Sequence, residues 1–221
     1  MRPQVITTAV MSNNADGIAE SQAVGSATTM ELDGALASGG VATLANAQLV
    51  GITSDGNDTG ITFTVAGTDP NGTTISEAVT GVNGAVATST FYFKTVTSIT
   101  TSGAVATTAL VGTLAADGMV TKPVPVNWRQ SPFNMSLSGD LTAGTGGTFG
   151  MQYTVDGPED SYTNSFGQDA NWRDVVGLDP DDVSTDDDSN IAFPVRAVRG
   201  KFSAGSTDMV VKFTIIQGQN G

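Results

Sequence analysis

The sequence predicts an all-β protein: two tandem β-sandwich domains, Ig-like or jelly-roll-like, preceded by an extended N-terminal arm. Three observations lead there. Short runs alternate apolar with hydroxylated residues and stop at Gly, Asn, Asp or Pro about every eight to twelve residues, as strands of sandwiches and barrels do. No stretch sustains the apolar period of a long helix. Four segments recur in one order at offsets of about 90 to 105 residues, as if one β unit were used twice. The chain has 221 residues, enough for two domains of about 100 residues that each bury a core. Its wealth of Val, Thr and Ile separates it from disordered chains, which are charged and poor in β-branched residues.

Taken in order, residues 1–25 form the arm. PQVITTAVM is its one apolar stretch, and ADGIAESQAVG (15–25) predicts a single short helical turn. Such an arm is either a disordered terminus or a strand that adds to a neighbour's sheet. In an assembly subunit Val5, Ile6, Val10 and Met11 would be its partner-binding residues, because neither sandwich offers their side chains a place.

The first sandwich spans 26–121. ITFTVAGTD (61–69) sets Ile61, Phe63 and Val65 on one face and threonines on the other. DPNG (69–72) then turns the chain, Pro presetting φ and Gly accepting φ > 0. TISEAVTGVNG returns as the partner strand. Phe91, Phe93, Val96 and Ile99 lead into a second hairpin, through TTSGA, to TALVGTL. The boundary falls at Thr121–Val126, where KPVPV reads as an extended linker.

The second sandwich, 122–221, repeats the plan. MSLSGDLTAGTGG (135–147) answers MELDGALASGG (30–40), and MQYTVDGPED (151–160) answers ITFTVAGTD. FPVRAVRGKFSAG (193–205) answers FKTVTSITTSG (93–103), and MVVKFTIIQGQNG (209–221) answers TALVGTLAADG (108–118).

The chemistry on offer is sparse. With no cysteine there is no disulfide or thiolate, and with no histidine the commonest general base and metal ligand is missing. Nine basic residues against 22 acidic ones give a net charge of −13, the reverse of what a phosphate backbone attracts, so nucleic acid is not an expected partner. A basic or neutral partner surface fits better. The N-terminus lacks the apolar core of a signal peptide, and no run reaches the length of a membrane span, so the sequence predicts a soluble chain made in a cytoplasm.

Several constellations invite a chemical reading. GLDPDDVSTDDDSN (177–190) holds six aspartates. A calcium loop competes here with a solvated acidic loop; the EF-hand glycine and glutamate are absent, and the solvated loop without metal is the expectation. Asp140, Asp156, Glu159 and Asp160 do not form the facing acid pair of a glycosidase. GTGGTFG (144–150) lacks the Lys-Ser/Thr of a phosphate loop. Asn57 and Asn71 sit in glycosylation sequons, which matter only after secretion. Trp128 and Trp172 could bind sugar or a partner, but read better as core or domain-junction residues. The expectation is no catalytic residue, no cofactor, no metal, and hence no enzyme.

TVAGTDPNGTTISEAVTGVNGAVATSTFYFKTVTSITTSG resembles a segment of virion structural proteins of tailed bacteriophages. There a G-T-D-x-N-G-x-x-I-S-E hairpin precedes F-K-T-V-T-S-I and a glycine turn. Ser131–Asn134, Tyr153–Val155, Asn190–Arg199 and Ile215–Gly218 are similar to such proteins too, so the resemblance covers about residues 60–221. It implies a virion component, assembled in the host cytoplasm. Small size, the two-sandwich plan and the arm point to a capsid decoration, or cement, protein. Its partners would be the major capsid protein or another virion protein, and copies of itself, as a trimer. A tail, neck or collar component is the alternative, and a carbohydrate-binding β-sandwich module the second. No nucleic acid and no membrane enters the expected partners.

Overall fold

The computed structural model describes residues 3–9, 13–114, 118–157, 170–204 and 209–218. Among them there is no α-helix, and the fold is all-β as predicted. The chain forms two compact units. One is continuous, Asn13–Leu114; the other is split, Met1–Ser12 together with Ala115–Gly221.

The first strand, β1 (Gln4–Ala9), belongs to the split domain. The chain then builds the continuous domain from β2 (Asn14–Gln22), β3 (Ala37–Ser38), β4 (Val41–Gln48), β5 (Val50–Ser54), β6 (Thr62–Thr68), β7 (Thr74–Thr80), β8 (Val86–Thr88), β9 (Phe93–Thr101) and β10 (Ala109–Thr113). One sheet runs β2-β10-β5-β8; the other runs β4-β9-β6-β7, with β3 added to β4. Between them lies a core that Ile18, Val50, Ile52 and Val111 supply from the first sheet and Phe63, Val65, Phe93, Val96 and Ile99 from the second.

Alternation explains β6. Phe63 and Val65 are fully buried while Thr62 and Thr64, which alternate with them, are half-buried. The DPNG turn forms as predicted. Asp69 Oδ1 accepts the backbone N–H of Asn71 and Thr73 at 2.8 and 2.9 Å, and Gly72 takes a φ of 89°. β7 returns in register from Thr68↔Thr74 to Thr62↔Thr80. Gly67 answers a different need: a β-bulge brings Thr95 so close that a Cβ there would lie 1.9 Å from its carbonyl oxygen.

The split domain comprises β1 with β11 (Met119–Val120), β12 (Val124–Pro125), β13 (Met135–Ala143), β14 (Thr148–Thr154), β15 (Arg173–Asp174), β16 (Asp187–Ile191), β17 (Ala197–Ala204) and β18 (Val210–Gln217). Its sheets run β1-β18-β13-β16 and β15-β14-β17-β11, with β12 also on β17. Met135, Leu137, Val211, Phe213 and Ile215 face Phe149, Met151, Val198 and Phe202 across the core. Phe213 meets Phe149 and Phe202 edge-on, at ring separations of 6.1 and 5.8 Å.

Set side by side in chain order, the two domains share one strand plan. β2-β10-β5-β8 corresponds to β1-β18-β13-β16, and β4-β9-β6-β7 to β11-β17-β14-β15. Three of the four sequence repeats fall on equivalent strands: β6 with β14, β9 with β17, β10 with β18. The fourth does not. MSLSGDLTAGTGG supplies β13, whose counterpart is β5, whereas MELDGALASGG precedes β4. There Met30 is buried and bonds through its N–H to the Ile99 carbonyl at 2.8 Å.

Other expectations need correction. The arm 1–25 is not one element: β1 sits in the split domain, and 14–22 is strand rather than a helical turn, with Ile18 and Ala19 fully buried. β2 pairs with β10 through register shifts, which hide its alternation from the sequence. The domain limits therefore fall at 13 and 114 rather than at 26 and 121. The second hairpin does not exist either. Both edges of β9 are taken, by β4 and β6, so the chain crosses to the opposite sheet and lays β10 between β2 and β5. β17 and β18 repeat this crossing. The KPVPV stretch is extended, but β12 within it is a sheet strand, with Val124↔Val198 and Pro125↔Ala197.

Candidate partner-binding strand and arginine–tryptophan clusters

Of the four predicted partner-binding residues, Val5 and Ile6 lie together on β1; Val10 and Met11 lie outside the described residues. β1 pairs antiparallel with β18 over six positions, from Gln4↔Ile215 to Ala9↔Val210. Period-two alternation then separates the two side chains. Ile6, opposite Phe213, packs on the core, and Thr8 beside it is 7% exposed. Val5, opposite Thr214, points outward and is 55% exposed. Sequence reasoning saw apolar residues without a place; Ile6 has one, packed on the core of the split domain, while Val5 stays exposed.

The outward face of this sheet is mixed. Val5, Thr7 and Ala9 stand beside Val210, Lys212, Thr214 and Ile216, and then Ser136, Ser138 and Asp140. Lys212 Nζ lies 2.7 Å from Asp140 Oδ2, and Ser138 Oγ donates to Asp140 Oδ1 at 2.6 Å. The Lys212 and Ser138 hydrogen bonds hold the Asp140 carboxyl below its ordinary range, and the same bond to Asp140 raises Lys212. Asp156 instead accepts the Asn171 N–H. Glu159 and Asp160 lie outside the described residues.

Both tryptophans are half-buried and stand outside the hydrophobic core clusters, so neither is a core residue. Each is a platform for arginine. The Arg196 guanidinium lies 4.1 Å from the Trp128 ring centre and that of Arg129 4.8 Å. Arg199 lies 4.2 Å from Trp172. It is only 8% exposed, and its Nε and Nη2 both donate to Gln152 Oε1, at 2.9 and 2.8 Å. Gln152 Nε2 in turn donates to Asp174 Oδ1 at 2.8 Å, so a relay of hydrogen bonds joins β17, β14 and β15. Tyr153 and Phe193 add an edge-on ring pair at 5.4 Å. No local pattern shows these pairings, because Trp128 lies 68 positions from Arg196 and Trp172 lies 27 from Arg199.

The aspartates of 177–190 are used locally. Asp179 Oδ1 accepts the Asp181 N–H at 3.0 Å, Asp186 Oδ1 accepts from Leu141 at 2.7 Å, and residues from Asp187 onward form β16 against β13. Among the described residues no group of three or more acidic, His or Cys side chains is placed to hold a metal. In the continuous domain Asp58 is fully buried, its Oδ1 accepting the Ala106 N–H at 2.7 Å. That carboxylate ties the loop before β6 to the loop before β10, a role its sequon context concealed.

No family model and no curated protein matches the chain. Among solved structures it is similar to the crystal structure of allantoicase from Saccharomyces cerevisiae, at 12% identity over 97% of this chain and 90% of that one, with a TM-score of 0.22. So low a score carries no argument about activity. The expectation that the chain is no enzyme is set aside here, and the match assigns no activity to this chain in its place.

Proposed function

We propose that the chain is a structural protein of a tailed-bacteriophage virion, a decoration protein on the outside of the head that clamps neighbouring capsid subunits. The observation that carries the reading is the pairing of the first strand with the last. β1 and β18 lie in register over six positions, from Gln4↔Ile215 to Ala9↔Val210, so strands far apart in the chain close one sheet. A sheet closed by such remote pairing suits a particle that persists outside the cell. Much of the phage resemblance falls on strands, β6, β7 and β9 in one domain and β14, β16, β17 and β18 in the other, whereas Ser131–Asn134 lies in the loop before β13. A sugar-binding role is less well supported, because the Trp128 ring is already covered by two guanidinium groups.

The test is copy number. Particles purified from the phage that encodes the chain, run on a stained gel beside the major capsid protein, should show it in hundreds of copies. A dozen or fewer would place it in the tail, neck or collar, and absence from washed particles would end the virion reading.

A further inference from the structure

We propose that β1 is an exchangeable strand, and that its alternative seat is the β18 edge of a second copy of this chain. The geometry leaves β1 loosely owned. Among the described residues it is the outermost strand of its sheet, and the strand it pairs with is β18. Of its six residues only Thr8 is buried and only Ile6 is packed on the core. Its counterpart β2 has nine residues and buries Gly17, Ile18 and Ala19. Backbone pairing therefore supplies most of what holds β1, and any copy's β18 offers the same pairing.

The topology favours the exchange. β1 is severed from the rest of its domain by the whole continuous domain, 13–114. Gln4 must find Ile215, about 210 residues away, and closing so long a loop is entropically costly. When copies are crowded, a neighbour's β1 competes on equal chemical terms, the general route by which an identical element passes between protomers. Ile6 and Thr8 would enter the neighbour's core positions opposite Phe213 and Val211, and Val5 would remain outside.

The chain has no cysteine, so a single introduced pair reports the exchange. Val5→Cys and Thr214→Cys replace outward residues that face each other in register. The double variant is refolded at rising concentration and bridged with a short thiol-specific linker. Denaturing gels should show bridged monomer in dilute samples, and a fraction of bridged dimer that grows about tenfold per tenfold rise in concentration until saturation. Single variants refolded together should give a mixed dimer well above a Val5→Cys and Thr43→Cys control. A chain lacking residues 2–9, which can accept a strand but not donate one, should stay monomeric alone and form one-to-one complexes with the unaltered chain by native mass spectrometry. Bridged monomer at every concentration, with no mixed dimer above the control, would overturn the proposal. So would failure of the unaltered chain to complex the truncated one. Neither result bears on whether the chain belongs to a virion, which the particle gel decides separately.

Discussion

The two domains share a strand order and almost nothing else. The continuous domain carries eight acidic residues and one lysine, a net −7; the split domain carries fourteen acidic and eight basic residues, a net −6. The lone lysine, Lys94, spends its Nζ on the carbonyls of Leu44 and Ala45, both at 2.7 Å, and burial lowers its pKa. The split domain instead places arginines on tryptophans and a lysine on an aspartate. The cores diverge as well. Four alanines, with Phe63 and Phe93, help fill the continuous domain; four methionines and four phenylalanines fill the split one. One topology thus accepts two core chemistries, because alternation fixes which positions face inward and leaves volume to be settled locally.

That difference can be broken most forcefully at Phe213, the residue on which the split core converges. Phe213→Ala removes a fully buried ring and its two edge-on partners, and should cost the split domain about 3–5 kcal/mol. Scanning calorimetry should show that domain's transition moving down while the continuous domain's stays. If both transitions shift together, the two units do not unfold as the independent bodies their separate cores imply.

A smaller effect sharpens the contrast in how each domain uses glycine. At Gly67 the obstacle is the Thr95 backbone carbonyl, 1.9 Å from a Cβ, whereas at Gly200 it is the edge of the Phe213 ring, 2.4 Å away. A ring can tilt where a paired strand cannot. Gly67→Ala should therefore lose about 1–3 kcal/mol, and Gly200→Ala less, as measured by urea unfolding. The reverse order would mean that the bulge is softer than the aromatic core.

Strands and their faces were legible because alternation is local: Phe63/Val65 and the DPNG turn could be read directly from the sequence. Pairing was not. Nothing near Val5 announces a partner at Thr214, and nothing in FKTVTSITTSG says that both its edges are already taken. The false repeat has the same origin. MELDGALASGG and MSLSGDLTAGTGG share a local frame, but their equivalence would require the same neighbours, which only the sheet order supplies. The arginine platforms were invisible for a related reason, since Trp128 and Arg196 lie 68 positions apart. Where an apolar stretch has no place in its own neighbourhood, the remote end of the chain is a candidate partner before another molecule is.

The smallest expected effect concerns the charge pair on the outward face of the split domain's first sheet, Asp140 on β13 with Lys212 on β18. Asp140 has a lowered folded pKa, so its contribution is present above the ordinary carboxylate value, about pH 4. It is lost as pH falls through the lowered folded value. Lys212 has a raised folded pKa, so its contribution holds across neutral pH and is lost only as pH rises through that raised value. Both side chains are substantially exposed, at 31 and 41%, and water and salt screen such a pair. Asp140→Asn should therefore lower the melting temperature of the split domain only slightly near pH 7. The gap from the unaltered chain should close below about pH 4 and shrink in about 1 M salt, where the screening length falls to about 3 Å. A gap that survives both acid and salt would show that the amide variant has lost packing or the Ser138 hydrogen bond rather than charge.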